Sequence, residues 1–147
     1  MKKTILATTL MAASVPAMAF GEIGQWSSGW AQGVDEYTAV VSKGNALYIA
    51  CSDASPVSMI LTINNVEYGA GNKKSFDLVI DGKTIPTPYV TDSMVGENNF
   101  NYAWQAMRKA KTLQAKTSDG KILNLPIKGA AKAIPAKGGS CKSEISG

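Results

Sequence analysis

The chain contains no histidine. That excludes Ser-His-Asp and Cys-His nucleophilic catalysis and removes the commonest transition-metal ligand. What remains is carboxylate chemistry, and the 11 acids are scattered singly apart from Asp35-Glu36. On an extended backbone those two side chains point to opposite faces. Asp77 and Asp81 share a strand face but stand four residues apart, roughly 13 Å at the usual rise. Paired glycosidase carboxylates sit about 5 to 9.5 Å apart. No run of alternating acids has the form of a calcium loop. The glycine-rich stretch Gly69–Ser75, GAGNKKS, lacks the G-x-x-x-x-G-K-[ST] spacing of a phosphate loop and reads as a hairpin tip. No catalytic residue, cofactor or metal site is expected.

Residues suited to contact do occur. Tyr68, Asn72, Lys73 and Lys74 cluster at that tip, with Tyr89 as an aromatic neighbour, and a tyrosine among Asn, Gly and Lys is a common contact mix. This patch is the expected binding site, and its expected partner is another protein. Of the 15 basic residues only Arg108 is an arginine. A nucleic-acid face is normally concentrated and arginine-rich, so nucleic acid is not an expected partner.

The elements that position these residues follow from patterning. Lys2 and Lys3 precede an uncharged run from Thr4 to Val15, and Ala17-Met18-Ala19 supplies small residues for cleavage. Residues 1–19 thus read as a secretory signal peptide, too short and interrupted to span a bilayer, which implies a periplasmic chain with no stable membrane insertion after its removal. The remainder carries 13 cations against 11 acids, a mild +2. Cys51 and Cys141 both lie in the exported part, where the redox environment favours a disulfide between them.

Residues 20–36, rich in Gly and Ser but bearing Trp26 and Trp30, read as an arm laid over the body, with indoles as buried anchors. One β-rich domain is expected over 37–141, followed by a tail at 142–147. Period-two alternation marks strands in YTAVVS, ALYIACS, SMILTIN, VEYG, SFDLVI, TLQAKT and KILNLPI. It places Leu47, Ile49 and Cys51 on one face, as it does Met59, Leu61 and Ile63, and Phe76, Leu78 and Ile80. Asp81-Gly82 and Asp119-Gly120 are hairpin signals, since both residue types tolerate the positive φ that a two-residue turn needs. KTIPTPY, with Pro86 and Pro88, belongs at a sheet edge. GAAKAIP reads as one helical turn stopped by Pro135.

One helix is expected, over about residues 99–110. Phe100, Ala103, Trp104 and Met107 fall at i, i+3, i+4 and i+7, with Asn98 or Asn99 to cap the start and Arg108, Lys109 and Lys111 at the negative end of the dipole. Three turns are too short to stand alone in water, so the helix reads as a lid on the open face of a sheet. The fold class is therefore mainly β (α+β): an antiparallel β-sandwich of about 6 to 8 strands with one amphipathic helix packed on the sheet.

LYIAC, MILTI, FDLVIDG, the helix FNYAWQAMRKAK, LQAKTSDGKILNLPIKGAAKAIP and a late Cys, in that order, resemble the small exported β-sandwich proteins of type VI secretion loci, the VasI type. The ending LNLPIKGAAKAIP is similar to that of invasion-associated locus B proteins. The resemblance implies a non-catalytic periplasmic role and lends no site residues. The expected function is binding of another protein, as a secretion accessory, inhibitor or immunity-type factor. The alternatives are a small-molecule or envelope-glycan binder using a cleft beside Trp26 and Trp30, and an envelope hydrolase.

Overall fold

The computed structural model describes residues 21–136 and 139–146. The expected signal segment lies outside them. Two antiparallel sheets form an α+β sandwich. The first is a meander of β1 (Trp26–Ala31), β2 (Val34–Ser42), β3 (Asn45–Ser52), β4 (Ser55–Ile63) and β5 (Val66–Gly69), in that spatial order. The second contains β6 (Phe76–Ile80), β7 (Lys83–Ile85), β8 (Leu113–Thr117) and β9 (Ile122–Asn124), in the order β7-β6-β8-β9. Between β7 and β8 runs α1 (Met94–Lys109), and α2 (Ala130–Ala133) is the short turn ending before Pro135. Nine strands stand among the described residues, one more than the upper expectation, because the N-terminal segment folds into the first sheet.

The alternation sets the core. Leu47, Ile49 and Cys51 of β3, Met59, Leu61 and Ile63 of β4, and Phe76, Leu78 and Ile80 of β6 are all buried between the layers. Two-residue turns set the register: Gln32-Gly33, Asn64-Asn65 and Asp81-Gly82 have positive φ at both positions, matching the right-handed twist of the strands they join. Asp81 also ties its turn to the end of the helical connection, its carboxylate accepting from the N–H of Lys111 at 2.8 Å and of Thr112 at 2.9 Å. Those bonds, Thr112 foremost, hold it below the usual carboxylate range. The edge strand β7 ends at Pro86, as its prolines require.

Residues 26–36, expected as an arm, instead form β1 and the start of β2. The body thus begins before Tyr37. Gly and Ser masked the strand pattern, while Gln32-Gly33 closes the hairpin that pairs Trp26 with Ala39 and Trp30 with Asp35. Trp26 is buried and its Nε1 donates to the Pro126 carbonyl at 2.8 Å, the partner a buried indole needs. Trp30, 71% exposed, is not an anchor.

The helix begins five residues earlier than the apolar spacing indicates. Ser93, not Asn98 or Asn99, is the N-cap, its Oγ accepting from the Gly96 N–H at 3.1 Å. Gly-Glu-Asn-Asn reads locally as a loop, but Gly96 is where the helix crosses the chain: a Cβ there would stand 2.1 Å from the Val90 carbonyl oxygen. The expected inward face is the observed one, with Phe100, Ala103, Trp104 and Met107 buried. Trp104 meets Tyr37 of β2 edge to face at 5.2 Å, and the helix also touches β6, so α1 packs on both layers. Its outer strap is the chain after α2. Trp104 Nε1 donates to the Pro135 carbonyl at 2.9 Å and Arg108 Nε to that of Ile134 at 2.8 Å.

Cys51 and Cys141 are bonded, joining the central strand β3 to a point 90 residues later with Cα atoms 4.6 Å apart. The segment expected as a tail is held beyond that bridge. Val57 N–H donates to the Lys142 carbonyl at 2.9 Å, Ser143 Oγ to Glu97 at 2.7 Å, and Glu144 N–H to Thr91 Oγ1 at 2.9 Å. Among the described residues no helix is long and apolar enough to cross a membrane.

Candidate binding surface

Gly69–Ser75 does not form a hairpin tip. It carries the chain from β5 in one sheet to β6 in the other. Gly69 makes this corner with φ of 104°, and a Cβ there would lie 2.5 Å from the Met59 carbonyl oxygen and 2.6 Å from the Phe76 ring. No other residue fits that approach. The loop closes on itself through Gly69 N–H to the Lys74 carbonyl at 2.8 Å and Asn72 N–H to the Gly69 carbonyl at 3.0 Å, and Asn72 Nδ2 donates to the Ala70 carbonyl. Asn72, half-buried, therefore shapes the loop.

Tyr68 is fully buried and is not a surface contact. The Asn64-Asn65 turn sets it opposite Leu61, on the inward face. Its hydroxyl donates to Asp119 Oδ2 at 3.1 Å, and the Nζ atoms of Lys74 and Lys121 each stand 5.7 Å from its ring centroid. Tyr89 is half-buried too: its ring lies 4.9 Å from that of Phe76, and its hydroxyl accepts from the Phe76 N–H. Burial raises its pKa. Of the five expected contact residues, Lys73 and Lys74 are exposed.

The sheet pairing brings a second element to the loop. β6 and β8 pair Phe76 with Thr117 and Asp77 with Lys116, so the β8–β9 turn lies beside the crossing. Ser75 N–H donates to Ser118 Oγ at 3.2 Å and Ser118 N–H to the Ser75 carbonyl at 2.9 Å. Lys74 Nζ stands 3.2 Å from Asp119 Oδ2. Asp119 is drawn down to about 2, first by the Thr117 hydroxyl donating to its other oxygen and then by Lys74 and Tyr68. Lys116 and Lys121, both exposed, extend the cationic surface. The Asp119-Gly120 signal locates their turn; its place beside Lys74 and Ser75 depends on a pairing between strands far apart in sequence.

The carboxylates accept structural bonds instead of converging. Asp77 Oδ1 takes the Thr87 N–H at 3.0 Å, Asp35 Oδ2 the Ser140 hydroxyl at 2.5 Å, and Glu36 the Tyr48 hydroxyl at 2.6 Å. Burial, followed by that bond to Glu36, pushes Tyr48 up to about 12. Among the described residues no group of three or more acids and cysteines could hold a metal ion. The segment expected to frame a cleft as an arm beside the tryptophans is a strand of the first sheet, with Trp26 in the core.

A family model described as YfjT matches residues 24–134, from just before β1 to the end of α2. No curated protein and no solved structure matches the chain.

Proposed function

The chain belongs to the YfjT family, and from that premise we propose that it is a non-catalytic periplasmic protein that binds another protein. Its contact surface is Lys73 and Lys74 of the crossing loop with Lys116 and Lys121 of β8 and the following turn. The carrying observation is the double hydrogen bond between Ser75 and Ser118, which makes one preorganised surface of two loops. Preorganisation lowers the entropy lost on binding. With Lys74 engaged by Asp119, the cations of Lys73, Lys116 and Lys121 suit a partner with an acidic face. The disulfide supports an oxidising compartment. A secretion-accessory, inhibitor or immunity-type task is the finer reading, in keeping with the resemblance to the VasI and locus B types.

The test is capture from an envelope extract on the immobilised, disulfide-bonded chain, wild type against Lys73→Glu/Lys116→Glu. Loss of a captured protein is expected. An identical set of captured proteins discards the surface. Tyr68→Ala does not serve here, because it removes a core residue. The exposed Trp30 indole favours a second reading, envelope-glycan binding by ring stacking. Glycan fragments then raise the melting midpoint of the wild type and not of Trp30→Ala.

A further inference from the structure

The second sheet ends in an open edge. Leu125 N–H donates to the Leu113 carbonyl, and Thr117 N–H to the Lys121 carbonyl, both at 2.9 Å. In an antiparallel ladder these two bonded pairs fix the alternation between them, so Lys121, Leu123 and Leu125 turn their backbone groups toward β8. Ile122 and Asn124 therefore turn theirs outward. Neither residue's N–H or C=O has a bond to another described backbone group. Natural proteins blunt such edges by keeping them short, as β9 is, or with lysines, prolines, bulges or inward-pointing charges. Here Pro126 comes only after the strand, and Ile122 is 60% exposed. A groove of about 320 Å³ continues from the strand end, lined by Leu113, Leu125, Pro126 and Ile127 among others.

Cations outnumber acids around this edge, where Asp77 lies opposite Lys116 and Asp81 beside Lys111. From Lys111 to Lys128 the chain carries Lys111, Lys116, Lys121 and Lys128 and a single acid, Asp119, which Lys74 engages. Lys116 and Ile122 are paired neighbours, so one cation stands beside the open strand on the same sheet face. A second copy pairing edge to edge would bring these lysines against each other.

We propose that β9 is a docking edge for an extended acidic segment of another protein, which adds as a strand beside Ile122–Asn124, sets its acids near Lys116 and Lys121, and places an apolar side chain in the groove. Main-chain bonds supply affinity and the alternate side chains supply specificity. The strand itself offers three residues, roughly 10 Å, so the added segment pairs at Ile122 and Asn124 and extends past both ends. This rests on the protein-binding reading above and names the chemistry of the partner.

The probe is a fluorescein-labelled six-residue peptide of alternating Glu and Val, titrated against the disulfide-bonded chain by anisotropy. A Lys-Val peptide of equal length is the control. Saturable binding of the Glu-Val peptide alone is expected. Lys116→Glu/Lys121→Glu and Ile122→Pro should each weaken it by about tenfold or more, the first through charge and the second by removing an outward N–H that the ladder does not use. Hydrogen exchange at Ile122 and Asn124 in the wild type should slow on adding peptide, which decides the matter even if the proline variant unfolds. Absence of saturation, a folded Ile122→Pro chain that binds as wild type, or unslowed exchange overturns the proposal. So does a dimer in sedimentation that Ile122→Pro abolishes. If the peptide is ignored while envelope capture still depends on Lys73, the docking edge falls and the protein-binding reading stands; if no lysine substitution affects capture, that reading falls.

Discussion

Replacing Trp104 by Ala and by Phe asks how much of the stability passes through the contact between α1 and the sheets. Trp104 is 2% exposed, meets Tyr37 edge to face at 5.2 Å, and donates from Nε1 to Pro135 at 2.9 Å. Truncating a buried tryptophan costs about 3 to 5 kcal/mol in transfer and cavity terms. The aromatic pair and the hydrogen bond bring the total for Trp104→Ala to about 4 to 6 kcal/mol. Trp104→Phe keeps most of the apolar volume and loses the N–H donor, so about 1 to 2 kcal/mol is expected. Tyr102 lies on the outer face, 46% exposed with Lys83 Nζ 3.8 Å from its ring centroid. Tyr102→Ala should cost less than about 1 kcal/mol. Urea unfolding followed by far-ultraviolet circular dichroism measures all three. Domains of this size have stabilities of about 5 to 15 kcal/mol, so Trp104→Ala should remove a large share. Should Trp104→Ala cost no more than Tyr102→Ala, the helix does not hold the two layers and the packing argument fails.

Three further outcomes follow from the same structure. Cys51→Ala/Cys141→Ala reopens a loop of 90 residues, and the loop-entropy relation sets the loss at about 4 to 5 kcal/mol, readable as a lower urea midpoint. Asp119 has a folded value of about 2 against an ordinary 3.8, so its contribution is complete above the unfolded value and is lost as pH falls from about 4 toward 2. Asp119→Asn should therefore flatten acid unfolding in that window and leave neutral stability no higher than wild type. Gly69→Ala forces a Cβ onto the Met59 carbonyl at positive φ and should cost about 3 kcal/mol or more, whereas Gly120→Ala, in open space, should cost about 1 kcal/mol by thermal unfolding.

Local patterning made much of the architecture legible. The pleat sends alternate side chains to opposite faces whatever the strand pairs with, so Leu47, Ile49, Cys51, Phe76, Leu78 and Ile80 could be placed inward from sequence. The same holds for the helix face of Phe100, Trp104 and Met107, for the Asp81-Gly82 hairpin, and for the pairing of the two cysteines. Tyr68 was legible in principle: the Asn64-Asn65 turn sets its register opposite Leu61.

Tertiary packing settled the rest. Residues 26–31 are a strand because β2 offers them a ladder, and the first turn of α1 exists because Gly96 lets it lie on the Val90 backbone. Lys74 and Lys121 share the Tyr68 ring because β6 pairs with β8 across the whole helical connection. Such contacts join separate segments, dozens of residues apart in the case of β6 and β8, and their free energy comes from burying both partners at once. A short window of residues carries one partner only, so it specifies which face turns inward but not what that face will meet.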